Sequence, residues 1–444
     1  MKSAKPVKNV EVSPLMQQVA SYIAGAAKRA LPPEVAEKTK HHVLDTIAEM
    51  VSGAHLLPGR RAIAFARSRP GGKEACVAAS RIVTTAEFAA LANGMLAHAD
   101  ETDDSHAASL CHPGCAIVPA ALAMAEREGR GGTALLRAVA LGYDIASRIN
   151  LALHSYDFRE AGHSTHSFGP SFGAAAAAGA LTGVNADQAR WLLSYAAQQC
   201  SGISCWMRDA EHVEKAFDFG GMPARNGVAA AAMIAAGFTG VDDVFSGERN
   251  FFVAYDETRR IGKPPTMGEL ARELGQTYEI MNTNIKRWSV GSPIQAPLDA
   301  LVDLIRQHSI KAAEVEKVVV RVARQGANTT DNRDMPDICM QHMCAVMLID
   351  GIVTFKSAHD EKRMRDPKVL ALRSKIELYG DEELTRALPS RQGIVELRLA
   401  GGRALRSHVK AVRGTAQNPM TRADRKSTRL NSSHMSESRM PSSA

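Results

Sequence analysis

PSFGAAAAAGAL, residues 170–181, carries one large side chain before its last residue and reads as a helix built for close contact. Alanine has the highest helix propensity, and small side chains let helix backbones approach each other. RNGVAAAAMIAA, residues 225–236, repeats the pattern, with Gly237 and Gly240 marking its end. Both belong at the centre of a helical domain. Outward from them, Leu15, Val19, Ile23 and Ala26 recur at helical spacing. Glu34 to Val51 follows Pro32-Pro33 and stops at Gly53. Thr85 to Met95, Gly132 to Ile149 and Ala186 to Gln199 read the same way. The helical character holds from Pro14 to about Gly247.

After residue 262 the pattern changes. Lys263-Pro264-Pro265 reads as a linker. VEKVVVRV (315–322) is β-branched, and Lys375 to Tyr379 and Gly393 to Leu399 alternate as strands do. Ala400-Gly401-Gly402-Arg403 turns into a partner strand, Ala404 to Val409. Helices are expected at 293–307 and 338–356. The predicted fold is mainly α: a large all-helical domain over 13–262 and a smaller α+β lid over 275–423.

The chain has 444 residues, 45% hydrophobic and 23% charged, which suits a globular protein with a large core. No apolar run has transmembrane length, and the polar, lysine-bearing start has no signal core, so the expected location is cytoplasmic. Seven scattered cysteines without a CxxC pair fit reduced thiols. The net charge of +7 comes from dispersed Lys and Arg, so a nucleic-acid stripe is not expected. Such basicity equally serves an anionic small substrate. Residues 424–444, DRKSTRLNSSHMSESRMPSSA, are Ser-rich and unpatterned and read as a non-native, adapter-like tail. On that reading the second domain is truncated.

Four stretches concentrate chemistry. NGMLAHADETDDSHAASLCHPGC (93–115) holds four carboxylates and three histidines between His98 and His112. If 90–105 is a helix, Glu101 and Ser105 share a face at i and i+4. Groups that titrate near neutrality at hydrogen-bonding distance suit acid–base work; a solvated acidic helix end is the competing reading. GHSTHSFGPSFG (162–173) sets His163 and His166 before a helix N-terminus, where a carboxylate is welcome. EKAFDFGGMPARNG (214–227) places Lys215 before a Gly-rich turn, and NIKRWSVGSP (284–293) places Lys286 and Arg287 near the second domain. A lone lysine in such a stretch is as readily a solvated one.

Taken together and in this order, the stretches resemble the MmgE/PrpD family, which includes 2-methylcitrate dehydratase, cis-aconitate decarboxylase and iminodisuccinate epimerase. Asn93-Gly94, His98 and Asp103-Asp104-Ser105 resemble its NG…H…DDT/S segment, and His112-Pro113 its HP. His163-Ser164-Thr165 through Gly169-Pro170 resembles its HPT…GP loop, Lys215 through Ala224-Arg225-Asn226-Gly227 its K…G…ARNG segment, and Lys286-Arg287 its connecting lysine. The likeness covers roughly 14–420. It implies a helical domain with an α+β lid, a homodimer, and a site between the two domains that needs no cofactor and no metal. Glu101, Ser105, His112 and His163 would be catalytic, and Lys215 and Lys286 would bind substrate carboxylates. Glu101 stands where decarboxylase-like members carry Asp, Ser105 for Thr, His166 for a small residue, and Asp218 where many members have His.

The reaction so implied is proton abstraction next to a carboxylate of a small di- or tricarboxylate, with dehydration first and decarboxylation or epimerisation as alternatives. Two other readings stay open. One is a metal-dependent hydrolase using His98, Asp103, Asp104, His106 and His112, or zinc at Cys111 and Cys115. The other is an inactive carboxylate-binding relative.

Overall fold

The computed structural model describes residues 11–421; the tail set aside above lies outside them. The helix Thr165–Thr182 is the axle of the first body, with every residue from Thr165 to Leu181 buried. It packs against Gly132–Ala152, Pro113–Arg127 and Met222–Ala235. The sequence dictates how closely. A Cβ at Gly173 would run into the backbone of Gly142, and one at Gly227 into the backbone of Ala174. These helices touch main chain to main chain, which the alanine and glycine run permits. The helix closes at Gly183, whose φ of +83° is the left-handed cap that glycine adopts without strain. Pro14–Ala26 starts on a Ser13 side chain that accepts from the Met16 amide at 3.2 Å.

This body is not purely helical. Ala75–Cys76 pairs with Val83–Thr84, and Ser105–His106 pairs with Thr283–Asn284. The expected helix over 90–105 also stops early: Ala86–Ala97 ends at His98, and 98–104 is a buried turn. A helix would have pointed its run of acids at too few partners. The turn sends each carboxylate in a different direction, toward histidines and lysines of other elements.

The second body carries a four-stranded sheet in the order Ile376–Asp381, Val315–Ala323, Gly393–Leu399, Ala404–Val409. The first pair is parallel and the others antiparallel. Val318, Val320 and Val322 alternate inward, as the β-branched run requires. Gln295–His308 covers the strands Gly393–Leu399 and Ala404–Val409, and Met340–Asp350 lies against Ile376–Asp381. The single helix expected over 338–356 breaks at Gly351 (φ +70°) and resumes as Phe355–Ala358, capped by Thr354.

Lys263-Pro264-Pro265 does not divide the two bodies. Leu270, Tyr278 and Ile280 pack into the helical core, and the second core begins at Trp288. The junction therefore falls between Ile280 and Trp288, where Lys286 sits. Among the described residues, no helix is long and apolar enough to cross a membrane.

Candidate active site

The turn after Ala97 builds a buried network around Asp103. Its Oδ2 lies 2.7 Å from His98 Nδ1 and its Oδ1 lies 2.9 Å from His112 Nδ1. Lys286 Nζ sits 3.4 Å from the same Oδ1 and donates to the Glu101 carbonyl at 2.7 Å. Burial alone would raise the Asp103 pKa, but His112, His98 and Lys286 outweigh it and hold the carboxyl well below its usual range. An ionised carboxylate only accepts, so both imidazoles donate to it from Nδ1.

Lys215 reaches the same place from the short helix Val213–Ala216, and its ammonium is paired with Glu101 Oε1. Lys215 first, then His212 and Lys286, overcome burial and keep the Glu101 carboxyl ionised. The next five residues, Phe217–Gly221, form a π-helical turn. Such turns insert one residue and re-aim the side chains around it. Here the turn brings Gly220 against the Gly94 backbone and aims Phe219 inward. Phe219 stacks on His166 at 3.7 Å and on His98 at 4.2 Å between ring centroids. Two rings cannot share one face at those distances, so Phe219 is sandwiched between the imidazoles. Lys215 Nζ lies 5.2 Å from the Phe219 centroid and 5.3 Å from that of Trp206, within cation–π range.

Several of these groups face a cavity of about 110 Å³ between the two bodies. Glu101, His112, His166 and Lys215 line it from the helical side, while Gln325 and Thr329 face it from beyond the sheet strand Val315–Ala323. Burial pulls the His112 pKa down to about 4 despite the opposing pull of Asp103. Burial also holds His166 and His212 well below the ordinary histidine value. At neutral pH the cavity therefore presents neutral imidazole beside an ammonium group, an arrangement that can take a proton from an anionic ligand.

Not all six expected residues meet at the cavity. Glu101, His112 and Lys215 line it. Lys286 is buried behind them and binds Glu101 and Asp103 rather than the open space. Ser105 is buried in the strand pair with Asn284 and does not line the cavity, nor does it share a helix face with Glu101. His163 turns away: it pairs with Glu257 at 2.8 Å and stacks on Phe158. It lies in an extended bridge to Ile203, whereas His166, in the first turn of the helix, faces inward. Asp218 accepts from Ser164, and burial raises its pKa to about 7.

Three contributors went unread in the sequence. His212 holds a left-handed backbone (φ +61°) with Nδ1 4.0 Å from Glu101 Oε1. Arg159 and Arg391 line the cavity from the short helix Ser155–Glu160 and from the loop before Gly393–Leu399. They stand 232 positions apart in unremarkable surroundings, and no local pattern marks them.

The metal-ligand set proposed from sequence does not converge. Asp104 faces His42 and Tyr143, and His106 faces Ser109 and Glu279. Two other groups have ligand atoms within 4.8 Å of one another: His98, Asp103 and Cys115, and His98, Glu101 and His212. A cation at the second would have to displace the Lys215 ammonium from Glu101.

Residues 17–262 match the family model for the MmgE/PrpD N-terminal domain, and residues 288–441 match that for the MmgE/PrpD C-terminal domain. The chain belongs to the MmgE/PrpD family. The gap between the matches contains the junction seen in the two cores, and the second match runs past the described residues. Among curated relatives, a cis-aconitate decarboxylase-like protein of Aspergillus oryzae is 28% identical over 294 residues, covering 63% of this chain and 59% of its own length. A cis-aconitate decarboxylase of Aspergillus terreus is 23% identical over 305 residues, 66% of this chain and 60% of its own. The chain thus spans about three fifths of the curated relatives it matches.

Proposed function

We propose that this MmgE/PrpD protein is a lyase that takes a proton from the carbon next to a carboxylate of a small polycarboxylate, with His112 Nε2 as the base. The observation that carries the reading is the 2.9 Å contact of His112 Nδ1 with the ionised Asp103, on a residue that faces the cavity. Asp103 fixes the tautomer and stabilises the imidazolium formed on proton uptake. A bound anion beside His112 raises its pKa, so the base strengthens as substrate arrives. Lys215 offsets the charge that develops on the substrate carboxylate as the C–H bond breaks, and preorganised donors of this kind contribute most in a water-poor site.

The carbanion-like intermediate then expels hydroxide, protonated to water on departure, as in a dehydratase of the 2-methylcitrate type. A second reading is favoured by the names of the two Aspergillus relatives: carbon dioxide leaves without prior C–H abstraction, its bonding pair stays on the carbon, and one proton from solvent takes its place. Incubation with a panel of di- and tricarboxylates in deuterated water tests the shared feature. Deuterium should enter a carbon next to a carboxylate, and His112→Ala should abolish it. Exchange at the wild-type rate in that variant rules out His112 as the base.

A further inference from the structure

Arg159 and Arg391 are the two cavity-lining cations that the network around Asp103 does not use. Each is partly buried, and neither guanidinium makes a hydrogen bond or an ion pair with any described residue. That is unusual. A guanidinium has five donors and is seldom withdrawn from water without an acidic partner. Burial lowers the pKa of both; Glu160 and Tyr156 oppose it at Arg159, while at Arg391 Tyr156 and Glu101 oppose it and the charge of Arg159 lowers it further. Two like charges held near each other in a half-closed space are a standing cost to the fold. An anion that both can bind removes that cost.

The placement is equally specific. Arg159 belongs to the helical body. Arg391 belongs to the loop Leu388–Gln392, which leads into the central antiparallel strand of the second body. Tyr156, one turn before Arg159, lines the same cavity. Arg391 also borders a larger groove of about 610 Å³ on the outer side of that loop. It therefore stands in the wall between cavity and groove. The balance of charge around the cavity gives the ligand class. Arg159, Arg391 and Lys215 face it with one carboxylate, Glu101, against them. His112 and His166 are neutral at pH 7. Two positive charges remain to be matched.

We infer that Arg159 and Arg391 clamp one remote carboxylate of the substrate between the two bodies, and that the site is balanced for a dicarboxylate dianion. This rests on the proposed chemistry only in placing the reacting carbon at His112. One carboxylate lies beside Lys215, next to the carbon that loses its proton; the other accepts from the two guanidinium groups. Each guanidinium can offer two parallel N–H groups to a carboxylate, a geometry lysine cannot copy.

Calorimetric titration of the full chain with inert acids tests the clamp apart from the reaction. Glutarate is the dianion probe, butyrate a monoanion of similar length, and propane-1,2,3-tricarboxylate the trianion. Charge-assisted bidentate pairs contribute enough that Arg159→Gln and Arg391→Gln should each weaken glutarate binding about tenfold or more. Arg159→Lys and Arg391→Lys, which keep charge and most of the volume, should recover only part of it. Butyrate should bind weakly and equally to all five proteins, and unchanged melting temperatures check that the variants fold. Glutarate affinity within twofold of wild type in both Gln variants overturns the clamp, as does absence of glutarate binding to the wild type. A trianion that binds more than tenfold tighter than glutarate overturns the charge balance. Deuterium exchange reports separately. If some acid exchanges while glutarate binding ignores both arginines, the clamp falls and the reaction stands; if binding depends on the arginines and no acid exchanges, the reverse holds.

Discussion

Asp103 and Asp104 are adjacent, fully buried and ionisable, yet they face two different regions. Asp103 looks into the site: its partners are His98, His112 and Lys286. Asp104 looks into the helix packing: its Oδ2 accepts from His42 and from the Tyr143 hydroxyl, both at 2.6 Å, and its Oδ1 accepts from the Gly114 amide at 2.9 Å. Both sit in the turn just before the strand Ser105–His106, and that turn sends the two side chains to different partners. One carboxylate holds His112, which lines the cavity, and its neighbour pins the helix Pro113–Arg127 to Pro33–Gly53 and Gly132–Ala152. The difference shows how a buried acid is committed by its partners. Those of Asp104 have no access to the cavity, whereas His112 does.

Substitutions should separate the two. Asp103→Asn removes the charge that fixes the His112 tautomer, and turnover should fall by about a thousandfold, roughly 4 kcal/mol of barrier. Steady-state kinetics on the substrate found by exchange would read this, and loss of less than tenfold would break the division. Asp104→Asn should instead cost about 3 kcal/mol of stability, because buried donors lose a charged acceptor, with turnover per folded molecule changed far less. Chemical denaturation beside active-site titration distinguishes the two outcomes. Gly114→Ala sets a methyl 2.9 Å from the Asp104 carboxylate and should cost about 1–2 kcal/mol through the same contact.

The smallest effect is a pH dependence with opposed limbs. His112 has its pKa lowered to about 4 in the fold, so unfolded chains bind the extra proton first as pH falls. Its contribution to stability is present above about 6.5 and is lost between there and about 4. His359 behaves oppositely. Burial lowers its pKa, but Asp100, 3.2 Å away, and Asp337 prevail and raise it to about 9. Its contribution is whole below about 6.5 and disappears as pH rises through about 9. His359→Gln should flatten the alkaline side of a melting-temperature profile and leave the acid side unchanged.

Much of this was legible in the sequence. The alanine runs, the strand Gly393–Leu399 and the hairpin partner Ala404–Val409 were readable from local pattern, because propensity and burial agree there. The acidic turn was not, since helical spacing continues past Ala97 and only distant residues such as His359 and Lys215 make the turn preferable. His163 and His166 carry the same side chain three positions apart, and a single extended residue decides which one faces inward. Arg159 and Arg391 become neighbours only when the two bodies meet.

His112 should sit in the cavity as a neutral imidazole, its proton on Nδ1 and its lone pair on Nε2. Nitrogen-15 NMR of the histidine-labelled protein reads this directly. At pH 7 the His112 Nδ1 should carry the proton with Nε2 bare, and Asp103→Asn should abolish this preference. A His112 that is an imidazolium at pH 7, or that carries its proton on Nε2, would contradict it.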